Sequence, residues 1–431
     1  MKRFFLLTLA SAALLGASAA PVKTYEVKSP DGRLALVLTA GERLSFTVAR
    51  DGETLVAPSE MALTLSTGEV LGESPRVRSA RRRAVTETID APLYRQSRFD
   101  AAYNELDLRL RGDYGILARA YDDGVCYRFY TERDGELTIV DETAQLNFEG
   151  DPSAYIPYSK TEIPMRTSFE NTYEYAPLSK FRTQTVAFMP VLVDLGERGY
   201  VLYTESDVEA YPGVYLTYDK EAKGFAARFA ECPTETSLTK RFQDVVERSA
   251  DYIARVDGRR SYPWRIVAYA ATATELPVND MVWQTAEASR VADASWVRDG
   301  KIAWDWWNNW GVYGVDFKSG INTETYKYFI DFAAANGIEY VALDEGWGVR
   351  DGDVMHVVPE IDLPEIVSYA REKKVGIILW VVAKVLDDKG SVAVDKGSRA
   401  LGKQLGKTRG MFKAFKDEYQ KASGGSSKAT K

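Results

Sequence analysis

The chain has 431 residues, 45% hydrophobic and 27% charged, with a formal net charge of −7. This is an ordinary globular composition with room for two to three domains at roughly 100–200 residues each, and its acidic balance argues against a nucleic-acid binder. Two cysteines, Cys126 and Cys232, and one histidine, His356, argue against zinc and against a histidine-based catalytic triad, so a hydrolase built from this chain has to rely on carboxylates.

The N-terminus reads as a secretory signal over residues 1–19. Lys2 and Arg3 precede an apolar run from Phe4 to Leu15, and Ala17-Ser18-Ala19 gives the small-x-small cleavage pattern. The run is too short to span a bilayer. Export to a bacterial periplasm is expected. The two cysteines leave open either one disulfide or two thiols.

Residues 20–290 read as a β-sandwich domain. Leu34–Leu38 and Leu44–Val48 alternate apolar and polar, and Asp51-Gly52 marks a tight turn. Similar runs recur at Leu106–Arg111, Val125–Tyr130 and Tyr200–Thr204. In the loop after residue 167, Ser168 to Glu174 groups two carboxylates with aromatics, which reads either as solvated surface charge, the commoner case, or as oxygen donors of the kind that suit calcium.

Over residues 291–388 the texture becomes α/β. Ile302–Trp306 reads as a strand. Thr323 to Asn336 has helical spacing, with Tyr326, Phe329, Ile330 and Ala333 on one face, Thr323 as N-cap and Asn336-Gly337 as the stop. Tyr340–Leu343 is an apolar strand, Leu363–Lys373 a second helix and Val375–Trp380 a third strand. Strand and helix in alternation predict parallel βαβ units. Residues 389–431 form a basic, low-complexity tail whose composition does not support a packed core.

Six of the nine tryptophans lie between Trp304 and Trp380. Aromatic planes pack on the CH faces of sugar rings while Asp and Asn bond the hydroxyls. Active-site residues of a (β/α) barrel sit at the C-terminal strand ends. Those ends carry Trp304, Asp305, Trp306 and Asn308, then Asp344, Glu345 and Trp347, then Trp380 and Lys384. These are the candidate substrate-binding residues. On strand geometry, Asp344 and Glu345 are expected to point to opposite faces.

Several ordered segments resemble glycoside hydrolase family 97: Tyr114-Gly115, Arg119 to Gly124, Ser168 to Leu178, Glu205-Ser206-Asp207, Trp304 to Asn308, Gly320 to Thr323 with Tyr326, and Leu343 to Trp347. The resemblance runs from about Lys23 to Asp388. It implies an N-terminal β-sandwich, a catalytic (β/α)8 barrel, of which this chain carries the first three units, and an exo-acting α-glycosidase acting on an oligosaccharide or other α-glycoside. Inverting members place a glutamate base at the end of the third strand. Here that place reads Leu379-Trp380-Val381-Val382, which resembles the retaining, α-galactosidase branch. The family's calcium is implied to bind partly through Glu170. Its nucleophile and acid/base have no counterpart before Asp388, so the chain reads as truncated within the barrel and inactive as it stands. A non-catalytic carbohydrate-binding protein and an α-glucosidase are the alternatives.

The signal reading has a direct check. Mass spectrometry of exported protein should find the mature chain starting near Ala20, and retention of Met1 to Ala19 would contradict it.

Overall fold

The computed structural model describes residues 22–91, 93–159, 169, 171–238, 244–291, 293–348 and 356–381. The segment read as a signal, the residues from 382 onward including Lys384, Ser168 and Glu170 lie outside them. By internal contacts the chain divides into two units: residues up to Cys232 with Ser249–Glu287, and Pro233–Arg248 with the residues from Ala288 onward.

The first unit is an antiparallel β-sandwich. Its first hairpins follow the sequence pattern closely. Leu34–Ala40 pairs with Leu44–Arg50, and alternate residues of both strands are buried. Arg50 opposes Glu53, so Asp51-Gly52 is a two-residue turn. Both turn residues have positive φ, 50° and 88°, as the mirror-image hairpin turn requires.

A 24-residue strand, Gly124–Asn147, organises the rest. Its first part pairs with Tyr114–Tyr121 on one side and Trp264–Ala270 on the other. Further along it pairs with Ala254–Ser261, then with Glu53–Leu65 and Gly224–Arg228. One strand thereby belongs to both halves of the sandwich. The core between them takes Leu36, Phe46, Leu108, Ile116, Phe129, Ile139, Leu146 and Phe225, all buried.

That core also encloses charge. The Arg265 guanidinium donates from Nε and Nη2 to Glu142, each at 2.8 Å, and from Nη1 to Glu205 at 2.5 Å. Arg265 and Glu142 are almost fully buried. Its charge is held firmly on: burial opposes it, but the two carboxylates prevail and raise its pKa. Among the described residues Cys126 and Cys232 form no disulfide, and burial pushes the Cys126 thiol up to about 12.

The second unit contains an exposed two-stranded hairpin, Pro233–Leu238 with Asp244–Ser249, and a parallel α/β segment. The first parallel strand (Ile302–Trp304) pairs with the second (Tyr340–Leu343), which pairs with the third (Gly376–Leu379). The helices Thr323–Ala335 and Leu363–Lys373 lie between successive strands in sequence. This is the opening of a (β/α)8 barrel. Tyr326, Phe329, Ile330 and Ala333 are buried as the helical spacing predicts.

Three local readings need correction. The first strand stops at Trp304, and Asp305–Asn308 turn into a short 3-10 helix. The N-cap is Asn322, whose side chain accepts from Thr325 N at 2.9 Å; Asn caps at least as well as Thr. Thr323 instead accepts from Asp362 N at 2.8 Å, tying the first helix to the start of the second. Asp344 and Glu345 have left the strand, so its alternation does not govern them.

Replacing Arg265 by Leu strands Glu142 and Glu205 in the core. Removing one partner of a buried pair costs about 3–5 kcal/mol. Urea unfolding of Arg265→Leu should show a loss of that order, and Arg265→Leu with Glu142→Leu should recover part of it.

Candidate functional site

The C-terminal ends of the three parallel strands are stitched together by side chains. Asp305 is fully buried. Its Oδ2 accepts from the Tyr326 hydroxyl at 2.7 Å, and both oxygens accept from Asp344 N at 3.3 Å. One carboxylate therefore joins the end of the first strand, the first helix and the end of the second strand. Burial pushes the Asp305 carboxyl above the ordinary range, and the hydrogen bonds from Tyr326 and Asp344 oppose that rise.

The third strand is tied in from the other side. Trp347 is buried, and its indole Nε1 donates to the Trp380 carbonyl at 2.9 Å. Trp380 N donates to Leu343 O at 2.9 Å. The main chain of Trp380 is thus held twice while its ring stays substantially exposed. Gly346, between Glu345 and Trp347, has φ 115°, and a Cβ there would lie 2.5 Å from Ile321 Cδ1. Only glycine fits this turn without strain.

The remaining candidates divide by exposure. Trp306 and Trp307 stand out from the short helix, Trp307 with 81% of its surface exposed. Trp307 packs edge-on to half-buried Trp304, with ring centroids 5.5 Å apart, and Trp306 packs edge-on to Trp310 at 5.4 Å. Asn308 closes its own loop through Nδ2 to Gly311 O at 2.6 Å. Asp344 is nearly buried and accepts from Glu345 N at 2.5 Å. Glu345 is half-buried. Seven of the named residues thus fall in one region, with Asp305 beneath it as a buried support. Sequence reasoning placed Tyr326 in the helix core and missed its bond to Asp305. The available signal was a tyrosine on an otherwise apolar face.

Glu170 lies outside the described residues, and among the described residues no group of three or more His, Cys, Asp or Glu could hold a metal ion. Those residues by themselves do not make a calcium site.

Residues 27–287 match the family model described as glycosyl-hydrolase 97 N-terminal. The chain belongs to glycoside hydrolase family 97. A second family 97 model, glycoside hydrolase 97, matches residues 306–411. It carries the likeness past Asp388, where the sequence reading ended it. A retaining α-galactosidase of Bacteroides thetaiotaomicron is 42% identical over 367 residues, covering 83% of this chain and 55% of that protein. A probable retaining α-galactosidase of Streptomyces bingchenggensis is 30% identical, covering 83% and 52%. The chain thus spans about half the length of the curated relatives it matches. A family 97 enzyme from Pseudoalteromonas sp., solved with acarbose, superposes with a TM-score of 0.71 at 18% identity, over 87% of this chain and 57% of that one. A β-arabinopyranosidase superposes at 0.65 and 22% identity, over 83% and 55%. These likenesses show the fold.

The raised Asp305 carboxyl makes a signed prediction. The native state binds this proton more tightly than the unfolded chain. The contribution therefore favours the fold below the unfolded pKa of about 4 and is lost as pH rises through the folded value. Asp305→Asn removes that falling term. Measured by urea unfolding, the stability of the parent relative to Asp305→Asn should decline from about pH 4 upward.

Proposed function

We propose that this protein serves the hydrolysis of terminal α-galactosides with retention of configuration, and that the exposed strand-end tryptophans and Glu345 engage the sugar. The observation that carries the reading is the end of the third strand. Trp380 stands there on a doubly anchored main chain, and Leu379-Trp380-Val381-Val382 offers no carboxylate where inverting members of the family are expected to carry their base. The retaining α-galactosidase at 42% identity supports the same choice.

The chemistry limits what the described residues do. Retaining hydrolysis needs two carboxyl groups about 5–5.5 Å apart, one as nucleophile and one as acid/base. Asp305 is sealed beneath the site and Asp344 is turned onto the amide of Glu345. Both hold backbone rather than face a substrate. The described residues therefore orient a sugar ring, Trp306 and Trp307 by stacking on its CH face and Glu345 by bonding hydroxyls. Calcium, as the family implies it, enters the proposal through Glu170, and no catalytic step is assigned to it. Export to the periplasm belongs to the same proposal.

Exposure of Trp306 and Trp307 also favours a second reading, sugar binding without turnover. Both readings give the 431-residue polypeptide the same first result: no hydrolysis of nitrophenyl α-galactoside or α-glucoside above background. Galactose should quench its tryptophan fluorescence, and Trp307→Ala should weaken that response. Turnover that disappears in Glu345→Gln would overturn the assignment of roles. Absence of any quenching would remove the strand-end tryptophans from the site.

A further inference from the structure

The first unit carries a second surface of distinct chemistry, on a protein whose net charge is −7. The long hairpin Val77–Asp90 with Arg98–Leu110 continues through Tyr114–Tyr121 to the strand Gly124–Asn147. Register places Arg81 opposite Asp107, Arg83 opposite Glu105 and Ser79 opposite Arg109. Cross-strand partners share a face of the sheet. There Arg81, Arg83 and Arg109, with Arg259 and Arg260 from the strand Ala254–Ser261, line an open groove of about 730 Å³. Half-buried Leu117 and Tyr130 also line it.

The carboxylates in this groove are already engaged. Glu105 is buried, with one oxygen receiving Arg83 and the other Arg119 at 2.9 Å. Asp107 accepts from the Tyr130 hydroxyl at 2.6 Å and from Arg109 Nε at 3.3 Å. Arg109 also reaches Glu132. Asp107, although opposite Arg81 in register, is bonded to Tyr130 and Arg109 instead. The Arg81 side chain is exposed and makes no hydrogen bond or ion pair with any described residue. The groove therefore presents a planar five-donor cation with no internal partner, among arginines that outnumber the acids.

We propose that this groove binds an anionic glycan, with Arg81 receiving a carboxylate or sulfate and Leu117 and Tyr130 contacting the sugar ring. A guanidinium fork matches the paired oxygens of either group. An aliphatic and an aromatic side chain beside it suit a ring that is apolar on one face. The volume lies within the roughly 300–1,000 Å³ of small-ligand sites. Choosing a glycan over an acidic peptide rests on the glycosidase reading. The site itself lies in the sandwich and needs no hydrolysis.

Binding of the 431-residue chain can be measured by calorimetry against polygalacturonate, dextran sulfate, neutral dextran and polyglutamate. The expected result is binding to one or both anionic glycans, with none to dextran and markedly weaker binding to polyglutamate. The two anionic arms tell uronate from sulfate. Arg81→Ala should weaken glycan binding about tenfold, the loss of one charge-assisted contact, and Arg81→Lys should recover only part of it. The thermal midpoint of both variants should match the parent, since Arg81 has no partner to lose. Salt near 1 M, where screening acts over about 3 Å, should abolish most binding. Equal binding to polyglutamate, or affinity unchanged in a folded Arg81→Ala, would overturn the assignment. Neither outcome bears on galactose at the strand ends, which is read separately through Trp307.

Discussion

Arg265 brings a full positive charge into the interior of the sandwich, and the surrounding strands have to meet it. An unpaired buried cation is far more costly than a buried apolar group. Its compensation comes from two places distant in sequence, Glu142 and Glu205. Glu142 lies in the second half of the strand Gly124–Asn147, whereas Arg265 pairs in register with Tyr127 in its first half. The ion cluster can be satisfied only when that strand runs through both halves of the sandwich. Satisfying it also fixes Tyr200–Ser206, which carries Glu205, beside Trp264–Ala270.

The parallel segment solves a related problem at smaller scale. The short strands of its sheet end in loops whose backbone groups have lost their ladder partners. Asp305 supplies acceptors for the amide that follows the second strand, and Trp347 supplies a donor for the carbonyl that follows the third. The buried polar groups are therefore the supports, and the exposed aromatics are left free for contact. That division separates Asp305 and Trp347 from Trp306 and Trp307, although all four look alike as members of a Trp/Asp-rich motif.

Much of this was legible in the sequence because local patterns agreed with tertiary burial. The alternation in Leu34–Val48, the Asp51-Gly52 turn and the apolar face of the first helix all translate directly. The length of the strand Gly124–Asn147 was not legible. The sequence pattern marks only Val125–Tyr130 as a run, yet the strand continues through Gly135 at φ 77°, with a register shift in the opposing Ala254–Ser261. Nor was the end of the first parallel strand: Trp-Asp-Trp has strand-like residues, but burial of the Asp305 carboxylate against Tyr326 draws the chain into a turn. The arginine groove was hidden for another reason. It forms by cross-strand register between segments that a linear reading treats separately.

At the end of the third strand, the main chain of Trp380 is fixed by an indole from one neighbour and a carbonyl from the other, while its own side chain contributes neither bond. Position and identity are decoupled there. A replacement side chain would be delivered to the same point in space without asking the strand to move, so the scaffold tolerates exchange of an aromatic for an acid at little structural cost. Such an interchangeable socket is a physical route by which one architecture diversifies its chemistry: the anchoring residues stay, and only the group they present is substituted.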